Sequence, residues 1–343
     1  MSGTNAPRFL VEQRGDTREL GAFVVGVAFD RSGGVVAFGL GDGSVRLASI
    51  GAGQEWRSVP VHEGTVLTLA AHPSGGFVSG GDDGGFRRVM LDGDVSDIAR
   101  FGTKWVEQAV CHPGGVVACS VGKVVHLFDA AGLTLKELRH PSTVTGVAVD
   151  GKGKRVAASH YNGASVWFVA AKNGSPRVLE WKGSHIGVAM HPDAAAVVTA
   201  MQENALHGWS LPDGKHMRMS GYPAKTQSMW FNRNGKWLAT SGADCMVVWP
   251  FFGGGPMGKP PLELAGGDGI LCTRVACHPK EDIVAGGFAD GLVVIADIES
   301  SRILPVVPPG NGKVSALAWS PGGTHLAMGT ESGYAAVIDL SKR

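Results

Sequence analysis

The 343-residue chain carries 31 Lys+Arg against 30 Asp+Glu and is 44% hydrophobic, so it can bury a large core and has no net field to draw nucleic acid or an anionic membrane. Met1 to Arg8 is short and polar with no apolar segment behind it, and no stretch reaches the roughly 18 apolar residues of a spanning helix; the chain reads as soluble and cytoplasmic. Five cysteines (Cys111, Cys119, Cys245, Cys272, Cys277) form no CxxC pair and each lies in an apolar run, the setting of a buried, reduced thiol. The 52 glycines, without low-complexity tracts, call for many tight turns, as in an all-β fold of short strands.

One pattern recurs along the chain: an apolar run of about six residues, a polar turn residue with Gly nearby, a second run, a Gly/Asp/Asn turn, and a third run. Its first runs are Val24 to Phe29, Val66 to Ala71, Val106 to Cys111, Val144 to Val149, His185 to Met190, Thr226 to Phe231, Cys272 to Cys277 and Val314 to Trp319. The residues that follow them, Asp30, His72, His112, Asp150, His191, Asn232, His278 and Ser320, are spaced by 42, 40, 38, 41, 41, 46 and 42. Val-rich runs bounded by Gly, Pro, Asp and Asn are strands, and helix-length periodic segments are absent. A fourth, less apolar strand fits in each linker, as at Glu55 to Val59 and Pro176 to Glu180. Four antiparallel strands repeated radially make the blades of a closed β-propeller.

The segment from Val61-His62-Glu63-Gly64 through His72-Pro73-Ser74-Gly75, with the turn Ser79-Gly80-Gly81-Asp82-Asp83-Gly84, resembles the opening half and middle turn of a WD (tryptophan-aspartate) repeat. No literal Trp-Asp dipeptide occurs: Trp167, Trp209 and Trp249 hold the tryptophan position, and acidic residues follow in Phe128-Asp129, Ala296-Asp297 and Ile338-Asp339. The resemblance spans nearly the whole chain and implies one all-β propeller domain over residues 1–343, with repeats beginning near 23, 65, 105, 143, 184, 225, 271 and 313. Eight four-stranded blades are expected, with seven as the alternative if one copy is irregular. The last copy stops at its third strand, so an N-terminal strand within residues 1–20, drawn from Arg8 to Gln13, is expected to complete the last blade.

The four His-Pro histidines, His72, His112, His191 and His278, recur at one turn position and read as structural. His62 and His140 lie four residues before a first-strand valine, where the resemblance implies a hydrogen bond within the blade. Aligned copies put Asn162 and Asn204 at the turn between second and third strands, so His160, Tyr161, Lys182, His185, Glu203 and Lys225 should crowd one sector of one face. Mixed imidazole, phenol, carboxylate and ammonium groups suit a polar ligand or a peptide, and equally an ordinary polar rim. His160, His185 and Glu203 are a possible zinc set by ligand type, with no HxxxH or CxxC spacing behind it.

Just before the first strands stand Phe23, Trp105, Lys225 and Lys313, aromatic and cationic residues of the kind that anchor partners, although Phe23 and Trp105 could instead pack between blades. The 46-residue spacing comes from the insertion around Phe251, Phe252 and Met257, a Pro/Gly loop that suits a protein contact or a lid tucked on its blade. No GxSxG, HExxH or GxxxxGK[ST] motif occurs. The expected function is a non-catalytic scaffold binding a protein or peptide partner through its rim, as a monomer without nucleic acid, membrane or cofactor. A metal- or small-ligand-handling propeller using the His/Glu cluster is the alternative, and a propeller enzyme is the weakest reading.

Overall fold

Short Val-rich runs cannot satisfy their backbone groups alone, so each pairs with the next through a glycine- or asparagine-bearing turn. The computed structural model describes residues 9–51, 55–172 and 174–341. Every strand pair within it is antiparallel, beginning with Val24–Phe29, Val35–Leu40, Ser44–Ser49 and Trp56–Pro60. Turns with positive φ occur where predicted, at Gly43, Gly84, Asn162 and Asn204, a conformation that Gly and Asn adopt at least cost.

Hydrogen bonding gathers the strands into seven sheets, six of four strands and one of six. Counted as sheets, the propeller has the seven blades given as the alternative. All eight sequence repeats are nevertheless present, because the six-stranded sheet carries both the fourth and the fifth. Its two 14-residue strands, Arg155–Phe168 and Arg177–Met190, each run through a place where the other repeats break the strand with a turn. A register shift between Tyr161 and Gly163 marks the first of those places. The buried apolar residues accordingly form eight cores, one between each pair of successive repeats. The core joining the last repeat to the first packs Val24, Phe38 and Leu40 on Ala316, Ala327 and Ala335. Phe38 is fully buried there, a burial that stabilises by about 1.5–3 kcal/mol.

Successive repeats approach closely because of paired small and branched residues. Gly39, Gly80, Gly287 and Gly329 lie on second strands where an added Cβ would come within 2.8, 2.6, 2.4 and 2.3 Å of Val66, Val106, Val314 and Val24, the first valines of the next inner strand. Hydroxyls tie the inner strands together as well: Thr145 donates to the His185 carbonyl, Thr273 to Val314 O (2.7 Å) and Ser315 to Val24 O (2.5 Å). The inner strands of the third and fourth repeats, Gln108–Cys111 and Gly146–Val149, are two residues shorter than predicted. Val106 and Val144 instead donate their N–H groups to Gly81 O and Gly122 O of the preceding repeat.

The outer strand of the last sheet comes from the N-terminal part of the chain, but not from Arg8 to Gln13. Gly15–Glu19 pairs antiparallel with Tyr334–Asp339, in register from Gly15 opposite Ile338 to Glu19 opposite Tyr334. Arg8 lies outside the described residues, and Val11–Arg14 form a single helical turn whose Val11 is buried in the core of the last two repeats. The reason is polarity: an outer strand facing solvent on both sides suits Gly-Asp-Thr-Arg-Glu, whereas the apolar residues just before it plug a core.

Candidate recognition surface

The loops leading into the inner strands and the turns between second and third strands lie on one face, because they bond to each other. Gly41 N donates to Phe23 O, Gln202 N to Ser184 O and Glu331 N to Lys313 O. Successive repeats are also joined there: Gly183 N donates to the side-chain oxygen of Asn162, and Asn204 Nδ2 to Pro223 O. The rim is thus a fixed ring of backbone on which side chains are displayed.

In one sector the displayed groups surround a hollow of about 500 Å³ lined by Tyr161, Asn162, Glu180, Trp181 and Lys182. Tyr161 is 56% exposed, and its backbone is fixed by an N–H bond to Ser142 Oγ and by pairing opposite Ser184. Trp181 stacks on His207 with ring centroids 3.9 Å apart and an interplanar angle of 15°, which holds the indole rigid. Its carbonyl accepts from His185 Nε2 at 2.8 Å. The Glu203 carboxylate lies over Gly183, 3.2 Å from where a Cβ would stand. Tyr161, Lys182 and Glu203 are therefore brought together, with an exposed Lys225 in the loop into the next repeat.

His160 and His185 belong to the packing beneath this surface. Both are buried. His160 Nδ1 donates to Tyr161 O at 3.0 Å while Nε2 meets Ser165 Oγ at 2.9 Å; His185 Nδ1 meets Thr199 Oγ1 at 2.7 Å. With all four ring nitrogens engaged, neither imidazole has a lone pair to offer a metal, and burial pushes the His185 ring below its ordinary pKa. Among the described residues no group of three or more His, Cys, Asp or Glu side chains could hold a metal ion. The candidate zinc set His160, His185 and Glu203 does not converge, since Glu203 sits on the surface above two rings whose nitrogens are spent inside.

The turn histidines show why they recur. In each, Nδ1 accepts a backbone N–H two residues on, as in Ser74 N to His72, Gly114 N to His112, Asp193 N to His191 and Lys280 N to His278. In three of them Nε2 then donates across to a glycine carbonyl of the next repeat, Gly151, Gly235 or Gly323, at 3.1 Å. His62 donates through Nδ1 to Asp83 at 2.9 Å and accepts from Ser79 at Nε2, and His140 accepts from Trp167 Nε1 at 3.2 Å. Burial, with His160 nearby, drives His140 down to about 4.

The other candidate residues are dispersed. Trp105 is 57% exposed and Phe23 41%, so both stand on the rim. Lys313 is held in an ion pair with Glu331 at 2.8 Å. On the insertion, Phe251 packs edge-on to Phe231 at 4.9 Å and Phe252 edge-on to Trp237 at 5.2 Å. Lys259 closes the loop, donating to Gly253 O and Gly255 O and lying 4.8 Å over the Phe252 ring. The loop is a folded clasp with Met257 exposed at its tip. Trp181 and Glu180 were missed by the sequence reading. The signal was present, since Trp181 occupies the offset before the inner strand that His62 and His140 occupy in their repeats.

Comparison with known proteins follows the same lines. Residues 273–343 match the Anaphase-promoting complex subunit 4 WD40 domain, and residues 53–87 match the WD domain, G-beta repeat. The chain is similar to Autophagy-related protein 16 of Arabidopsis thaliana, 22% identical over 80% of this chain and 56% of that protein. It is also similar to the Protein LST8 homolog of Drosophila melanogaster, 26% identical over 37% of this chain and 40% of that protein. The chain thus spans about half the length of these relatives. In fold it is similar to the computationally designed Ika8 protein, at a TM-score of 0.75 and 19% identity over 93% of this chain and 96% of that one. Repeats, propeller and matches agree in their likeness to WD-repeat proteins, with residues 53–87 and 273–343 matching WD-repeat models directly.

Proposed function

We propose that this propeller is a non-catalytic recognition scaffold that binds an extended peptide segment of a protein partner in the hollow between Tyr161 and Lys182. WD-repeat propellers generally act as protein-interaction scaffolds, and one of the matching family descriptions is that of a complex subunit. The observation that carries the reading is the pairing of an exposed Tyr161 with a Trp181 locked by stacking, at a hollow flanked by Lys182 and two glutamates. Rigid aromatics lose little conformational entropy on binding, and flanking charges of both signs orient a polar backbone and select its side chains. Lys182 favours an acidic side chain in the segment, and Glu180 a basic one.

Selection of a displayed library of random 12-residue peptides against the wild-type chain, counter-selected with Tyr161→Ala/Lys182→Glu, tests it. Peptides enriched by the wild type and lost on the double variant, with its melting temperature unchanged, are expected. Enrichment that is identical on both proteins would overturn the assignment.

A further inference from the structure

The axis of the ring is lined by the inner strands, which enclose a channel of about 440 Å³. Its walls carry Val, Gly, Thr, Ser and Gln, and one charged side chain, Arg274. This guanidinium is fixed by protein acceptors: Nε donates to Ser315 O at 2.6 Å, and Nη1 to Thr273 O at 3.1 Å and Gln227 Oε1 at 3.3 Å. All three acceptors are neutral. Arg274 has no ion pair among the described residues, and Glu331, the acidic group whose field reaches it, is already paired with Lys313 at 2.8 Å.

A second guanidinium, outside the channel lining, also lacks a counter-charge. Arg31, from the first turn of the first repeat, reaches the ends of the next two inner strands and donates to Ala71 O at 3.0 Å and Cys111 O at 2.8 Å. It too has no carboxylate partner among the described residues, and its Nε is buried without any partner. Thr226, on the channel wall beside Gln227, is buried with its hydroxyl likewise unpartnered. A partly buried cation without a counter-charge is costly, and in a narrow low-dielectric channel its field is focused along the axis.

We propose that the axial channel is a binding site for a small organic anion, a carboxylate or phosphate ester, held by Arg274. The volume falls within the roughly 300–1,000 Å³ of small-ligand sites. The unpartnered Thr226 hydroxyl and the Gln227 amide stand beside the guanidinium. The surface hollow at Tyr161 and this site are separate, so one can fail without the other.

Calorimetric titration of the full chain with citrate and with inorganic phosphate, at constant ionic strength in chloride, reads the site. The expected result is saturable one-to-one binding of at least one probe, which distinguishes carboxylate from phosphate. Affinity should fall at least tenfold in Arg274→Gln and stay within a few-fold in Arg274→Lys. Gln227→Glu guards against a variant that fails to fold, because it places an isosteric carboxylate where Arg274 Nη1 already donates. That variant should lose anion binding tenfold or more while its melting temperature rises. Absence of saturable binding by both probes to the wild type, or unchanged binding in Gln227→Glu or in a folded Arg274→Gln, would overturn the proposal.

Discussion

Replacing Asp83 by Ala should be among the most damaging single changes away from the apolar cores. Arg87 is buried on the third strand of the second repeat, Gly85–Val89, and it donates to Asp83 at 2.8 Å and to Asp97 at 3.1 Å. Asp83 also accepts from His62 Nδ1 at 2.9 Å, from Gly85 N at 3.0 Å and from Glu63 N at 3.2 Å. Burial alone would raise this carboxyl, yet the Gly85 N–H and the His62 ring hold it well below the usual carboxylate range. Without Asp83, the guanidinium keeps a single carboxylate, the half-exposed Asp97, beside the neutral Val61 carbonyl, and the His62 ring loses its acceptor. Removing one partner of a buried ion pair costs about 3–5 kcal/mol; with Asp97 retained, a loss of about 3 kcal/mol is expected. Arg87→Met/Asp83→Ala removes both charges and should cost less than the sum of the single changes by about 2 kcal/mol. Urea denaturation of the four proteins measures both quantities. A loss below about 1 kcal/mol for Asp83→Ala, or strict additivity in the cycle, would refute the reasoning.

Two further outcomes follow from the packing and the histidines. Gly329→Ala drives a Cβ to 2.3 Å from Val24 across the junction of the last and first repeats, so it should destabilise by about 1–3 kcal/mol, with Val24→Ala recovering part of the loss; a neutral Gly329→Ala in thermal unfolding would contradict that close approach. His72, His140 and His207 are pushed down, chiefly by burial, to about 4, 4 and 3. Their protons bind the unfolded chain but not the folded one, so stability is full above pH about 6.5 and falls toward pH 4, on the order of 1 kcal/mol per unit for each ring. The lowered Asp83 adds its own loss only below about pH 4. Urea midpoints at pH 7, 6 and 5 should decline steadily, and a flat series would be inconsistent with neutral buried rings.

The repeat was legible because its signals are local: Val-rich runs, His-Pro or Asp turns and Gly or Asn at positive φ each answer a backbone requirement. Several inner strands, Val66–Ala71 and Cys272–Cys277 among them, lie where the pattern put them. What escaped depends on contacts between repeats. No local signal says that Arg155–Phe168 and Arg177–Met190 run unbroken into one six-stranded sheet. The outer strand was sought in Arg8 to Gln13, whereas an edge exposed on both faces selects polar Gly15–Glu19. In the recognition sector, spacing gathered Tyr161, Lys182 and Glu203 correctly but could not show that His160 and His185 spend their nitrogens inside, or that Trp181 is clamped by a histidine 26 positions away.

The measurement that bears most directly on the recognition reading is the affinity of a selected peptide for variants of the rim hollow and of the insertion clasp. Tyr161→Ala, Trp181→Ala and Lys182→Glu on the rim should each weaken binding at least tenfold with folding intact. Phe252→Ala and Met257→Ala on the insertion clasp should leave it within twofold. Equal losses at the hollow and the clasp, or losses confined to the clasp, would contradict the assignment of the rim hollow as the binding surface.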